Sequence, residues 1–276
     1  MRGQCMAGGA AMARSGSEDT LAQGSFVRAL RAEALKSRHG APVRLAIVLA
    51  LPFPLLAAFV ALSVPQFGLS YSPWNYWYAL LMPVSITLIA ATVANADARL
   101  GNHTLLSSGV SLHLAWGAKV AWCLALLLLS NLVVFAVYAV MSFVVPQGAA
   151  SMSAMLAVAL ALTVMGSWMI PATHFLTMRV GMLAGVFVPL AVQLALSLGW
   201  SVVPFWPACP PAATIVLPTA FLPVLPSGEP ASPGMALVES ISQGPDVALA
   251  LIVAAVLTAA LTAAGAMWLD RSEELR

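Results

Sequence analysis

Residues 120–145 read VAWCLALLLLSNLVVFAVYAVMSFVV and contain no Lys, Arg, Asp or Glu. The run exceeds the roughly 20 apolar residues that a helix needs to cross a hydrocarbon core of about 30 Å. Five other stretches of the same character occur at residues 45–64, 74–95, 151–173, 180–200 and 247–269. A charged side chain at the bilayer centre costs on the order of 2.5–3.5 kcal/mol. The pattern therefore predicts six transmembrane helices.

Composition agrees with this prediction. Of the 276 residues, 61% are hydrophobic and 8% are charged, whereas soluble domains carry about 25% charged residues. A soluble cytosolic enzyme is excluded on these grounds. A transmembrane β-barrel would show short segments of alternating polarity, which these stretches lack. We expect an all-α polytopic membrane protein.

The basic residues predict the orientation. Every Lys and Arg falls on one side of the six-span topology, and the positive-inside rule makes that side cytoplasmic, together with both termini. The net charge of +2 forms no basic stripe of the kind that binds nucleic acid. The residues concerned are Arg2, Arg14, Arg28, Arg31, Lys36, Arg38, Arg44, Arg99, Lys119, Arg179, Arg271 and Arg276.

Three segments outside the spans have distinct characters. Residues 1–24 are small and polar and predict a disordered tail, so that 25–276 form the membrane domain. Phe26, Val27, Leu30 and Ala34 share one helical face, which predicts an interfacial helix. This helix is either a charged flank of the first span or a contact for a cytosolic partner. The outer segment 201–246 is rich in proline yet apolar, which predicts short helices dipping into the outer leaflet.

The chain lacks the sequence motifs of an enzyme. It has no His-Glu-x-x-His, no Gly-x-Ser-x-Gly and no phosphate-binding loop, because neither Lys36 nor Lys119 follows a glycine. The three cysteines and four histidines lack metal-ligand spacing. We expect no catalytic residue, no bound metal and no cofactor.

The few polar residues inside the spans have two interpretations. Asn131 and Gln193 either form hydrogen bonds between helices or line a path for substrate. Trp206 and Phe221, in the outer segment, would contact substrate on the same path. The aromatic cluster at the start of the second span is interpreted as an interface belt and comprises Tyr71, Trp74, Tyr76, Trp77 and Tyr78.

In three places the chain resembles the permease subunits of ABC-2 type exporters, in particular the lantibiotic-immunity and bacitracin-resistance-like permeases. Arg31-Ala32-Glu33-Ala34-Leu35-Lys36 is similar to the Glu-x-x-Lys helix before their first span. Asp97, Asn102 and Leu106-Ser107-Ser108-Gly109-Val110-Ser111, followed by Lys119, resemble their cytoplasmic loop. Trp206-Pro207 and Leu222-Pro223-Val224-Leu225-Pro226-Ser227-Gly228 resemble their proline-rich outer loop.

The resemblance implies a six-helix ABC-2 domain, of the type V exporter kind, in a bacterial plasma membrane. The implied partners are a cytosolic ABC subunit that binds ATP, and either a second copy of the chain or a sister permease. The cargo would be an amphipathic peptide of the lantibiotic class, or another drug or lipid-like molecule. The implied ATPase-contact residues are Glu33, Lys36, Asp97, Arg99, Asn102 and His103.

Three other classes remain as alternatives. A membrane enzyme would need polar groups that converge at depth, and the spans contain almost no ionisable residues. A secondary transporter or channel would normally place Asp, Glu or Lys in its pathway. A membrane scaffold without transport activity is the third.

Overall fold

The computed structural model describes residues 26–38, 40–98, 111–232, 234–242 and 245–274. Within these ranges the regular elements are helices, and the strand-like pairing is a single bridge between Val224 and Pro230. The predicted tail 1–24 lies outside the described residues. The helices are α1 (26–37), α2 (Ala41–Val48), α3 (Pro52–Ser63), α4 (Ser72–Tyr76), α5 (Met82–Ala98), α6 (Leu112–Val144), α7 (Met152–Gly166), α8 (Met169–Arg179), α9 (Met182–Leu198), α10 (Pro210–Val216), α11 (Ala236–Ser242) and α12 (Asp246–Glu274).

Five helical segments are long and apolar enough to cross a membrane, which identifies the chain as an all-helical polytopic membrane protein. They are Ala41–Ser63, Ser72–Ala96, Leu112–Val144, Met152–Arg179 and Asp246–Arg271. The predicted span 180–200 corresponds to α9, whose 17 residues rise about 25 Å. This helix is shorter than the other five segments.

One end of the bundle gathers α1, the first turns of α6 and the last turns of α8 and α12. The Trp116 indole on α6 donates a hydrogen bond to the Thr262 carbonyl on α12, at 3.0 Å. The Arg179 guanidinium at the end of α8 lies 5.9 Å from the ring centroid of Trp268. We call this the basic end, because the described Lys and Arg side chains lie there. The opposite end, covered by residues 201–242, is the proline-rich end.

The short helix α9 runs from one end of the bundle to the other. At its start, the Met182 sulfur lies 3.5 Å from the Asn95 amide nitrogen near the end of α5. At its finish, Leu198 and Trp200 lie beside Tyr76, near the start of the second long segment. Six apolar segments therefore run between the two ends, five of them at full membrane length.

Prolines interrupt two of the long segments, and hydroxyl side chains occupy the gaps. Between α2 and α3, Pro52 lacks the N–H that would bond the Val48 carbonyl. One turn earlier, the Ala50 N–H bonds Ile47 instead of Ala46, and the Ser130 hydroxyl of α6 donates to the Ala46 carbonyl at 2.9 Å. Between α7 and α8, which flank a break before Pro171, the Ser167 hydroxyl lies 2.6 Å from that of Thr258 on α12. Both breaks thus coincide with hydrogen bonds to a neighbouring helix.

The aromatic residues at the proline-rich end form part of the core. Trp74, Trp77 and Tyr78 are fully buried, Tyr71 is 2% exposed, and only Tyr76 of the five has a largely exposed side chain. The interpretation as an interface belt is therefore wrong for four of these residues.

Tyr71 and Trp74 are buried because the end of α6 and the loop between α6 and α7 cover the start of α4, whereas the Trp77 indole reaches Asn131 inside the bundle. The Ala150 N–H donates to the Tyr71 hydroxyl at 2.7 Å, and Trp74 packs against Tyr138 with ring centroids 4.6 Å apart. Burial raises the pKa of the Tyr71 phenol above its ordinary value, and the hydrogen bond from Ala150 opposes this shift.

Candidate functional site

Helix α1 packs against the bundle along one side. Phe26 and Leu30 are partly buried, and Glu33 and Ser37 are buried, at helical spacing along one side. Of the four residues on the predicted apolar face, Phe26, Leu30 and Ala34 are partly buried and Val27 is 61% exposed. The helix therefore turns the Glu33 carboxylate as well as part of its apolar face towards the bundle.

That carboxylate forms a buried ion pair with α6. Oε1 of Glu33 lies 3.3 Å from Nζ of Lys119, and the two side chains are 9% and 6% exposed. Lys36 approaches the same oxygen at 3.0 Å from a side chain that is 42% exposed. Lys119 lies inside α6, not in a loop as predicted. Removal of one member of a buried pair leaves an unpaired charge in low dielectric and typically costs about 3–5 kcal/mol.

A histidine lies next to this ion pair in the core. His174 is 1% exposed, with its Nε2 atom 3.7 Å from the Cys123 sulfur and its ring edge-on to Trp116 at 5.7 Å. The predicted span 151–173 ends one residue before His174. His174 lies within the helix because α8 continues to Arg179, beyond the predicted span end at residue 173. Among the described residues no group of three or more His, Cys, Asp or Glu has the arrangement of a metal site.

Of the six residues implied in ATPase contact, three lie within the described residues and three do not. Glu33 and Lys36 meet Lys119 at the basic end, so two of the three stretches that resemble the permease family are in contact there. Asp97 lies in the last turn of α5. Arg99, Asn102 and His103 fall outside the described residues.

Asn131 joins three of the long segments near mid-depth. Its Oδ1 accepts a hydrogen bond from the Trp77 indole at 3.1 Å, and its Nδ2 donates to the Thr163 hydroxyl at 3.1 Å. The residue is 1% exposed. In this conformation both ends of the amide are bonded to neighbouring helices, which corresponds to the first of its two predicted roles.

Gln193 faces the proline-rich segment from inside the bundle. It is 1% exposed, its Nε2 lies 3.5 Å from the Pro211 carbonyl, and its Oε1 has no partner among the described residues. Helix α10, which contains Pro211, is buried along its whole length. The prediction of short helices in this segment is confirmed. Trp206 and Phe221 are partly buried and pack against the small apolar cluster that includes Leu217.

A cleft of about 210 Å³ opens at the proline-rich end between α4, the end of α9 and α10. Its buried floor includes Asn75, Ala79, Ser197 and Ile215. None of the four residues predicted for a substrate path lines it. Asn75 was not among the predicted site residues, although a lone amide within an aromatic cluster at a span boundary is a signal that could have identified it.

Comparison with known proteins gives no match to any family model, curated protein or solved structure.

Proposed function

We propose that the chain is the permease subunit of an ABC exporter that gives its bacterial host immunity to an antimicrobial peptide of the lantibiotic class. In this proposal all six apolar segments cross the plasma membrane, the basic end is cytoplasmic, and two permeases pair around a pathway. ATP is bound by a separate cytosolic subunit. The chain itself supplies the pathway and the surface on which that subunit rests.

The observation that supports this proposal best is the contact between Glu33 and Lys36 of α1 and Lys119 of α6. These residues belong to two separate stretches that resemble the permease family, and the fold brings them within 3.0–3.3 Å of one carboxylate oxygen. A buried pair at the basic end connects the amphipathic helix to a long spanning helix. Movement of α1 would therefore be transmitted to α6.

This connection suggests how ATP hydrolysis elsewhere would act on the membrane domain. The ATPase subunit would rest on α1 and on the segment that runs from Asp97, in the last turn of α5, towards α6. Dimerisation of the ATPase would move both. The ATPase would then favour one conformation of the permease over the other. The resulting shift in their equilibrium is no larger than the difference between the free energies with which the ATPase docks on the two conformations. Cargo would leave at the proline-rich end.

The proposal is tested by co-expressing this chain with a phosphate-loop ATPase encoded by an adjacent reading frame in a nisin-sensitive host. We expect the ATPase to co-purify with the chain, and survival in nisin to require both proteins. Asp97→Ala combined with Arg99→Ala should reduce survival and nisin-stimulated ATPase activity while membrane expression stays normal.

Two results would contradict the proposal. If the double variant is expressed normally and survival is unchanged, Asp97 and Arg99 do not take part in coupling to the ATPase. Transport by the purified chain alone in liposomes, driven by an ion gradient without nucleotide, would identify a secondary transporter instead. Bacitracin and a fluorescent lipid analogue serve as alternative cargos in the same assays.

A further inference from the structure

The cleft at the proline-rich end has exposed apolar side chains on one side of its rim. Its mouth is bounded by Tyr76, Leu80 and Leu198, which are 45%, 40% and 65% exposed, together with Trp200. Leu80 and Leu198 lie on segments that run the length of the bundle, and large apolar side chains exposed on such segments face lipid. The exposed Ser227 of the proline-rich segment lines the other side. Under the proposed topology, a molecule in the bilayer therefore reaches the cleft past Leu80 and Leu198.

The cleft also contains a polar group oriented by the protein. Nδ2 of Asn75 lies 2.8 Å from the Tyr78 hydroxyl, 3.3 Å from the Leu225 carbonyl and 3.4 Å from the Pro226 carbonyl. Since carbonyls only accept hydrogen bonds, these contacts fix which end of the amide is nitrogen. The Oδ1 atom accepts no hydrogen bond from any residue in the described ranges. Asn75 is 3% exposed, and its Oδ1 is not fully enclosed, so the oxygen can accept a hydrogen bond from a molecule in the cleft.

The volume limits the size of the occupant. A dry cavity of about 150 Å³ holds one benzene molecule, so 210 Å³ accommodates one aromatic ring or a short alkyl chain, but not a whole lipid or peptide. Ala79 and Ile215 supply apolar surface, and Asn75 supplies an acceptor for one O–H or N–H group.

We propose that this cleft binds small amphiphilic groups, each a short alkyl chain or ring beside a single hydrogen-bond donor, that arrive from the leaflet at the proline-rich end. This proposal adds a binding site to the proposed transport function. It rests on that function only in identifying the bound group as part of the cargo. The occupancy of the cleft itself requires neither nucleotide nor a partner.

The test uses a photoreactive eight-carbon alcohol with a diazirine in its chain, applied to the purified full-length chain in lipid nanodiscs. We expect mass spectrometry to find the label on Tyr76, Leu80 or Trp200, and excess octanol to prevent it. The methyl ether of octanol, which lacks a donor, should compete about three- to tenfold less well, the loss expected for one neutral hydrogen bond.

Two substitutions provide a matched comparison. Ala79→Phe fills the floor of the cleft and should abolish labelling there, whereas Ala136→Phe, at an exposed position of α6, should leave it unchanged. Equal competition by the alcohol and the ether, or label spread evenly over the exposed faces of α3 and α12, would overturn the proposal. The ether comparison needs no substitution, so a misfolded variant cannot hide the answer.

The assay separates this site from the proposed function. Labelling in the cleft without nisin immunity would support the binding site and contradict the exporter function. Immunity without labelling in the cleft would support the exporter function and contradict the binding site.

Discussion

The carboxylate of Glu33 on α1 lies 3.3 Å from the ammonium of Lys119 on α6, with both side chains almost fully removed from solvent. Their separation in sequence means that only the folded chain brings the charges together. Because each charge compensates the cost of burying the other, α1 is held in one orientation on the bundle. At the basic end, this ion pair connects α1 to α6.

Removal of either charge should destabilise the protein. We expect Glu33→Leu to lower stability by about 3 kcal/mol, because it takes away the carboxylate that faces the buried Lys119. Lys119→Met should cost less, because Lys36 still lies 3.0 Å from the Glu33 carboxylate. Thermal unfolding of the detergent-solubilised protein, followed by tryptophan fluorescence, measures the change.

The double variant Glu33→Leu/Lys119→Met is the control for that experiment. It removes both charges together, and its melting temperature should lie closer to wild type than that of the Glu33→Leu variant. Additive losses in the double variant would mean that the two residues act independently.

Asn131 should contribute to stability through its two inter-helix hydrogen bonds. Asn131→Leu should cost about 0.6–1.7 kcal/mol, and Thr163→Val, which breaks one of the two bonds, should cost less. We expect survival in nisin, normalised to the amount of folded permease, to stay at the wild-type level. Normal thermal stability with lost survival would instead assign Asn131 to the cargo pathway.

Gly265 on α12 is required by the indole of Trp116. A β-carbon at this position would overlap the indole ring, whereas a β-carbon at Gly117 would lie 3.6 Å from Phe26, an ordinary contact. Gly265→Ala should therefore destabilise by about 1–3 kcal/mol through overpacking, while Gly117→Ala should be neutral or stabilising. Similar melting temperatures for the two variants would contradict the close packing of α6 against α12.

Helix α9 should carry the chain across the membrane. In a background without cysteine, Val202→Cys should react with an impermeant maleimide on intact cells, and Val180→Cys should react only after permeabilisation. Both side chains are well exposed, so access to the reagent depends on the side of the membrane. Labelling of both positions from outside would mean that α9 does not cross.

The apolar runs predicted the long helices well but not their ends. The charge of Lys119 placed the predicted start of the third span at residue 120, whereas α6 begins at Leu112. Hydropathy counts a lysine as a cost, and the compensating Glu33 lies on a distant segment that no local pattern connects to it. The burial of His174 was likewise not predictable from local sequence, because its contact with Trp116 is a tertiary one.

The site at the proline-rich end shows a second limit. Asn131 and Gln193 stood out because they interrupt apolar runs, but Asn75 lies among aromatic residues typical of a membrane interface. Its contacts to Leu225 and Pro226 depend on how the proline-rich segment folds back, and single-sequence patterns do not contain that path. Local polarity therefore identified buried amides but not the cleft.

The length of α9 has a consequence for the surrounding lipid. Under the proposed topology, a helix that rises about 25 Å beside a hydrocarbon core of about 30 Å creates a hydrophobic mismatch. The bilayer must thin locally or the helix ends must draw headgroups inward. The thinned zone borders the cleft at Leu198, so an amphiphile leaving the protein there would meet a shorter apolar barrier than it would anywhere beside α6.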